Sequence, residues 1–152
     1  MNLQKTTHRA IAVGIVATTT AIGFAGSAQA VTKGGCTATP STPVYSHHNA
    51  SGNKVLKYTI KVKCSANRTV TIAQQRKEED GLLNPDDLIG SSTYVRAFGA
   101  AGTKTINFYG TLPDTELGKE EMYQRIRIRV SSNGVTSAWS GWHKSGVRSF
   151  SN

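Results

Sequence analysis

Met122 to Val130 reads MYQRIRIRV, and Ser131 to Trp142 continues SSNGVTSAWSGW. In the first stretch Ile126, Ile128 and Val130 recur at every second position, with Tyr123, Arg125, Arg127 and Arg129 between them. A period of two sends successive side chains to opposite faces of an extended chain, so the stretch is predicted to be a strand with one apolar and one cationic face. Ser131 to Gly134 supplies a turn, and Val135 to Trp142 is predicted to be the return strand of a hairpin.

The same period appears elsewhere. Leu56 to Cys64 (LKYTIKVKC) alternates Leu56, Tyr58, Ile60, Val62 and Cys64 with Lys57, Thr59, Lys61 and Lys63, which predicts a half-buried strand carrying a row of lysines. Arg68 to Gln75 follows the turn residues 65–67 as its hairpin partner, with Val70 and Ile72 on one face. Shorter strands are expected at Ser92 to Phe98, Lys104 to Tyr109 and Val147 to Phe150, and a weak edge strand at Thr32 to Val44, where Pro40 and Pro43 cannot donate to a central ladder. Arg76 to Gly90 (RKEEDGLLNPDDLIG) breaks the alternation. It reads as a charged loop holding a short helix capped by Asn84, with Pro85 at its first position and Asp86 and Asp87 in its first turn. About seven short strands without a long helix or repeat predict an all-β, single antiparallel β-sandwich.

The N-terminus sets the compartment. Lys5 and Arg9 precede an uncharged run from Ala10 to Gly26, and Ala28 and Ala30 form an A-x-A site, so residues 1–30 read as a secretory signal peptide cleaved before Val31. The run is short for a membrane span, is interrupted by threonines and lacks a basic stop-transfer flank, and no later run approaches the ~20 apolar residues a spanning helix needs. A secreted, extracellular domain over residues 31–152 is therefore expected, with no transmembrane segment after signal removal. It holds sixteen Lys and Arg against nine Asp and Glu, a net charge of +7 over 122 residues. Its two cysteines, Cys36 and Cys64, are an even pair in an oxidising compartment and predict one disulfide.

Tyr123 to Val130 (YQRIRIRV), Ser132-Asn133-Gly134 and Ser137-Ala138-Trp139-Ser140, with Leu117 six residues before Tyr123, resemble the sixth strand, following turn and seventh strand of a fibronectin type III domain. The resemblance covers the last quarter of the chain and implies a fibronectin-III/immunoglobulin-like β-sandwich, without implying a function. Trp139-Ser140-Gly141-Trp142 is similar to the W-S-x-W-S element of cytokine-receptor modules of that family, with His143 where the last serine stands. In that element tryptophans interleave with arginines, which implies a structural cluster of Trp139 and Trp142 with Arg125, Arg127 and Arg129. Read without the family, Trp139 is expected to be the main buried aromatic of the C-terminal half, and Trp142 a rim residue.

Catalytic signatures are thin. No nucleophile elbow, phosphate-cradling glycine loop or EF-hand spacing is present, so no catalytic residue, metal ligand or cofactor is assigned. His47 and His48 read as a solvated pair. What remains is charge: Lys57, Lys61 and Lys63 line one strand face, and Arg125, Arg127 and Arg129 line another, as rows for a polyanion. The expected function is a secreted, monomeric, non-enzymatic binding module for an anionic envelope or extracellular polymer, or for a protein partner. A secreted inhibitor or antagonist of an extracellular enzyme, acting through an exposed loop such as Arg76 to Gly90, is one alternative. A small hydrolase is the other.

Overall fold

Alternating apolar residues on two neighbouring strands can bury their common face only against a second such sheet, and that requirement organises the chain. The computed structural model describes residues 28–80, 84–113 and 118–151. Within them the elements are β1 (Val31–Lys33), β2 (Cys36–Pro40), β3 (Val44–His48), β4 (Lys54–Cys64), β5 (Arg68–Glu78), β6 (Asp87–Phe98), β7 (Gly102–Thr111), β8 (Lys119–Ser132), β9 (Val135–Thr136), β10 (His143–Lys144) and β11 (Arg148–Ser151). All pairings are antiparallel. The fold is all-β, and no described helix is long and apolar enough to cross a membrane.

Two sheets form a sandwich. In the first, β4 is central, with β7 on one edge and β2 then β3 in succession along the other; β1 pairs with the outer edge of β2. In the second, β5 lies between β6 and β8, and the short strands β9, β10 and β11 follow one another along the far edge of β8. Apart from β1, the described strands thus make seven lanes. The inward residues Ile60, Val62, Val70, Ile72, Ile126, Ile128 and Val130 form the larger core cluster, joined by Cys36 and Cys64. These cysteines are directly opposed on β2 and β4 and form a disulfide, with Cα atoms 4.0 Å apart. A second cluster, Leu56, Tyr58, Leu112, Met122 and Phe150, fills the other end.

Between the clusters lies a polar layer that the alternation pattern did not mark. β5 runs three residues past Gln75, and its inward side chains there are Gln74, Arg76 and Glu78, all buried. Burying such groups costs several kcal/mol unless they are hydrogen-bonded. Gln74 Nε2 donates to Gln124 Oε1 (2.7 Å), Tyr94 Oη donates to Gln74 Oε1 (3.0 Å), and Gln124 Nε2 donates to the carbonyls of Ser41 and Thr59. Arg76 Nη1 donates to Ser92 Oγ (3.0 Å) while its guanidinium lies 3.8 Å from the Phe108 ring centroid. Gly90 makes room for it, since a Cβ there would stand 2.4 Å from Arg76 Nη2.

Several expectations change here. The predicted loop Arg76 to Gly90 loses both ends to β5 and β6, and Asn84 to Asp86 lead into strand instead of a helix. Asp86 is held by Tyr123, whose hydroxyl donates to its carboxylate, and by Lys77 Nζ, which donates to its carbonyl (2.5 Å). The return strand Val135 to Trp142 is regular only at Val135–Thr136. Residues 1–27 of the signal segment and Leu117 of the family resemblance lie outside the described residues.

Candidate functional site

The arginine row of β8 projects from the outer face of the second sheet, where two indoles interleave with it; Arg125 and Arg127 are half-buried and Arg129 is exposed. Arg125 lies 4.9 Å from the Trp142 ring centroid, and Arg127 lies 4.8 Å from both Trp142 and Trp139. Arg129 lies 4.9 Å from Trp139. The order of the stack is Arg125, Trp142, Arg127, Trp139, Arg129, each indole between two guanidiniums. Buried Arg127 Nε has no hydrogen-bond partner among the described residues, so this group is held by ring faces. Arg125 Nε donates to Gln75 Oε1 on β5 (2.7 Å).

Serines hold the indoles at this spacing. The backbone N–H of Ser137 donates to the Val130 carbonyl and that of Ser140 to the Ile128 carbonyl; in return Val130 N–H donates to Ser137 Oγ (3.1 Å) and Ile128 N–H to Ser140 Oγ (2.9 Å). Ser145 repeats the exchange with Gln124 at 2.8 and 3.0 Å. A hydroxyl thus replaces a backbone carbonyl as acceptor. Ser137 and Ser140, like Trp139 and Trp142, are three apart, the period of a polyproline-type extended chain and not of a strand. One flank of the segment therefore clasps the β8 edge while the other feeds rings between the arginines. Neither tryptophan is a core residue; both are half-buried, and the buried aromatics of the described C-terminal half are Phe98, Tyr123 and Phe150. Tyr123 shares the outer face with the arginines but is capped by Lys144, whose Nζ lies 3.8 Å from its ring centroid. Burial, and then the hydrogen bond to Asp86, push its hydroxyl well above the usual tyrosine range.

The lysine row is open. Lys57 is half-buried, and Lys61 and Lys63 are exposed along the outer face of β4. Their lateral neighbours are uncharged: Tyr109, Thr105 and Thr103 on β7, Thr39 and Thr37 on β2, and Val44 on β3. β1, β2, β3, β4 and β7 contain no Asp or Glu. Every acidic residue of the chain falls at 78–80, 86, 87, 114, 116, 120 or 121. Of these, Glu78, Asp87, Glu120 and Glu121 sit where β5 ends and β6 and β8 begin. Among the described strands, therefore, those of the first sheet carry cations and no acid, and the acids lie at one end of the second sheet.

At the Lys57 end the row meets an aromatic pair that sequence reading did not assign. His47, opposite Val55, and Tyr109, opposite Lys57, have ring centroids 6.4 Å apart, and Tyr109 is 51% exposed. The parity of Tyr109 with Asn107 and Thr105 was the available signal, and it needed the β4–β7 register to acquire meaning. His48 does not join His47; its Nδ1 meets the Tyr45 hydroxyl at 2.9 Å. At the opposite end, Thr37, Lys63 and Ser65 line a depression of about 280 Å³. No group of three or more His, Cys, Asp or Glu residues among the described residues is placed to hold a metal ion. The sequence matches no known protein family, and no curated protein is significantly similar to it.

Proposed function

We propose that this chain is a secreted, non-enzymatic, fibronectin-III-like module that binds an anionic extracellular polymer along the lysine row of β4. The strand order supports the family resemblance. Numbered along the chain, lanes one, two and five form one sheet, and lanes four, three, six and seven the other, as in fibronectin type III sandwiches and close to the immunoglobulin order. β1 opens at Val31, the residue that cleavage after Ala30 would make the N-terminus, which supports the export reading.

The observation that carries the binding assignment is the unequal state of the two cationic rows. The arginines are already engaged by Trp139 and Trp142, whereas Lys61 and Lys63 are exposed and Lys57 half-buried on a sheet whose strands carry no carboxylate. At about 3.4 Å per residue the row is roughly 20 Å long, so a flexible polyanion can engage all three charges without a pocket. With a Debye length near 8 Å at physiological salt, only charges close to the polymer contribute. Each contact releases a condensed counterion, which makes the affinity strongly salt-dependent.

The test is retention on immobilised polyphosphate and on an immobilised polyuronate across a salt gradient. The parent and Arg125→Gln/Arg127→Gln/Arg129→Gln are expected to elute late, and Lys57→Gln/Lys61→Gln/Lys63→Gln early. Losing three contacts lowers the log–log salt slope by about 2–3. Elution of the lysine variant with the parent, or absence of parental binding at low salt, overturns the assignment and shifts the reading to a protein partner.

A further inference from the structure

We propose that β6 is a self-complementary edge and that the protein forms a two-fold dimer by antiparallel pairing of β6 with β6 of a second copy. The inference is independent of the polyanion reading and departs from the monomer expected from sequence. β6 is twelve residues long and pairs only with β5 among the described strands. Its outer edge carries backbone groups that no described strand pairs. The carbonyls of Val95 and Ala97 accept from Arg96 Nη1 (2.8 Å) and Lys104 Nζ (2.7 Å), so they aim away from β5. In an antiparallel ladder every second residue does the same, which adds Ser91 and Thr93. Long open edges are templates for another strand.

The side chains select a second copy as the occupant. β6 has two charged residues, Asp87 and Arg96, near its opposite ends. It also carries two of the exposed large apolar residues, Leu88 (55%) and Val95 (56%). Seven residues apart, these two would fall on opposite faces of a regular strand. The register with β5 skips Ile89, passing from Gly90 opposite Arg76 to Leu88 opposite Lys77. That bulge brings Leu88 onto the outer face with Val95, which lies opposite Thr71.

A two-fold axis through Ser92, with Ile89 of each copy left unpaired at the bulge, then matches the other positions from Asp87 to Arg96. Asp87 meets Arg96 of the second copy, Leu88 meets Val95, Gly90 meets Tyr94, and Ser91 meets Thr93. Opposite charges and two apolar side chains are each favourable cross-strand pairs. All pair on matching faces, because both copies carry the bulge. Arg96 has to leave its own Val95 carbonyl and the Tyr94 ring, whose centroid lies 5.9 Å away, and Ala97, where Lys104 sits, lies beyond the paired segment. The axis is perpendicular to the sheet, so the two lysine rows face the same way. An interface this small belongs with concentration-dependent association.

Sedimentation velocity of the purified protein over a concentration series is the test. The parent is expected to show reversible monomer–dimer exchange. Arg96→Asp and Asp87→Arg each place like charges in apposition and are expected to be monomeric at concentrations where the parent dimerises. An equimolar mixture of the two variants restores both ion pairs and is expected to dimerise, an outcome that misfolded variants cannot produce. A parent that stays monomeric throughout, single variants that dimerise like the parent, or a mixture that stays monomeric each overturns the proposal.

Discussion

The rows Arg125, Arg127, Arg129 and Lys57, Lys61, Lys63 look alike as text, with cations sharing one parity and buried apolar residues the other, yet they have different surroundings. The strand β8 is followed by a segment whose serines clasp its edge and whose indoles slot between the guanidiniums. β4 has only threonines, Tyr109 and Val44 beside its lysines. Guanidinium suits the covered role, being planar and weakly hydrated, while the compact, strongly hydrated ammonium favours solvent. Alternation tells which face carries charge; what covers that face is decided by a neighbour distant in sequence or differently patterned.

Stability measurements can break this contrast. The largest effect is expected for Arg125→Gln/Arg127→Gln/Arg129→Gln, which removes four ring contacts and should destabilise by about 2–4 kcal/mol in chemical denaturation. The triple lysine variant should behave like ordinary surface substitutions. Equal losses from both triples would mean the rows do not differ as described.

On the lysine strand the sensitive group lies beneath the row. Burial raises the Tyr58 hydroxyl from 10.0 to about 12. The folded state therefore holds this proton more tightly than the unfolded chain, so its contribution is complete below pH 10 and is lost as pH rises from 10 to 12. The loss should reach about 2–3 kcal/mol, with Tyr123 adding in the same direction. Denaturation midpoints across that window should fall for the parent and fall less for Tyr58→Phe.

Smaller changes sharpen the covered side. Trp139→Ala and Trp142→Ala each remove a ring shared by two arginines and should cost about 2 kcal/mol apiece. A clear excess at either one would displace the symmetric stack. Ser140→Ala leaves the Ile128 N–H without its acceptor and should cost about 1–2 kcal/mol, whereas Ser140→Thr, which keeps the hydroxyl, should recover most of it.

Local pattern made the sandwich legible. Ile126, Ile128 and Val130, and Ile60 with Val62, declared their faces through a two-residue period that is a property of extended backbone itself, and Cys36 and Cys64 had only each other to pair with. The end of β5 stayed hidden because its inward residues are Gln74, Arg76 and Glu78, whose burial depends on Gln124, Tyr94, Phe108 and a side-chain-free Gly90 brought from other strands. The bulge at Ile89 was equally invisible, since a register shift exists only between two strands.

By itself, then, the sequence determined which residues line each strand face, the pairing of its two cysteines and the positions of its two rows of cations. The tertiary structure alone decided that the lysine row has only uncharged neighbours, that the acids of the described strands gather at one end of one sheet, and that β6 is left as an edge with Leu88 and Val95 on one side. Side-chain alternation follows from the geometry of a single strand. Register and edge are relations between strands, set by long-range packing that no single stretch contains.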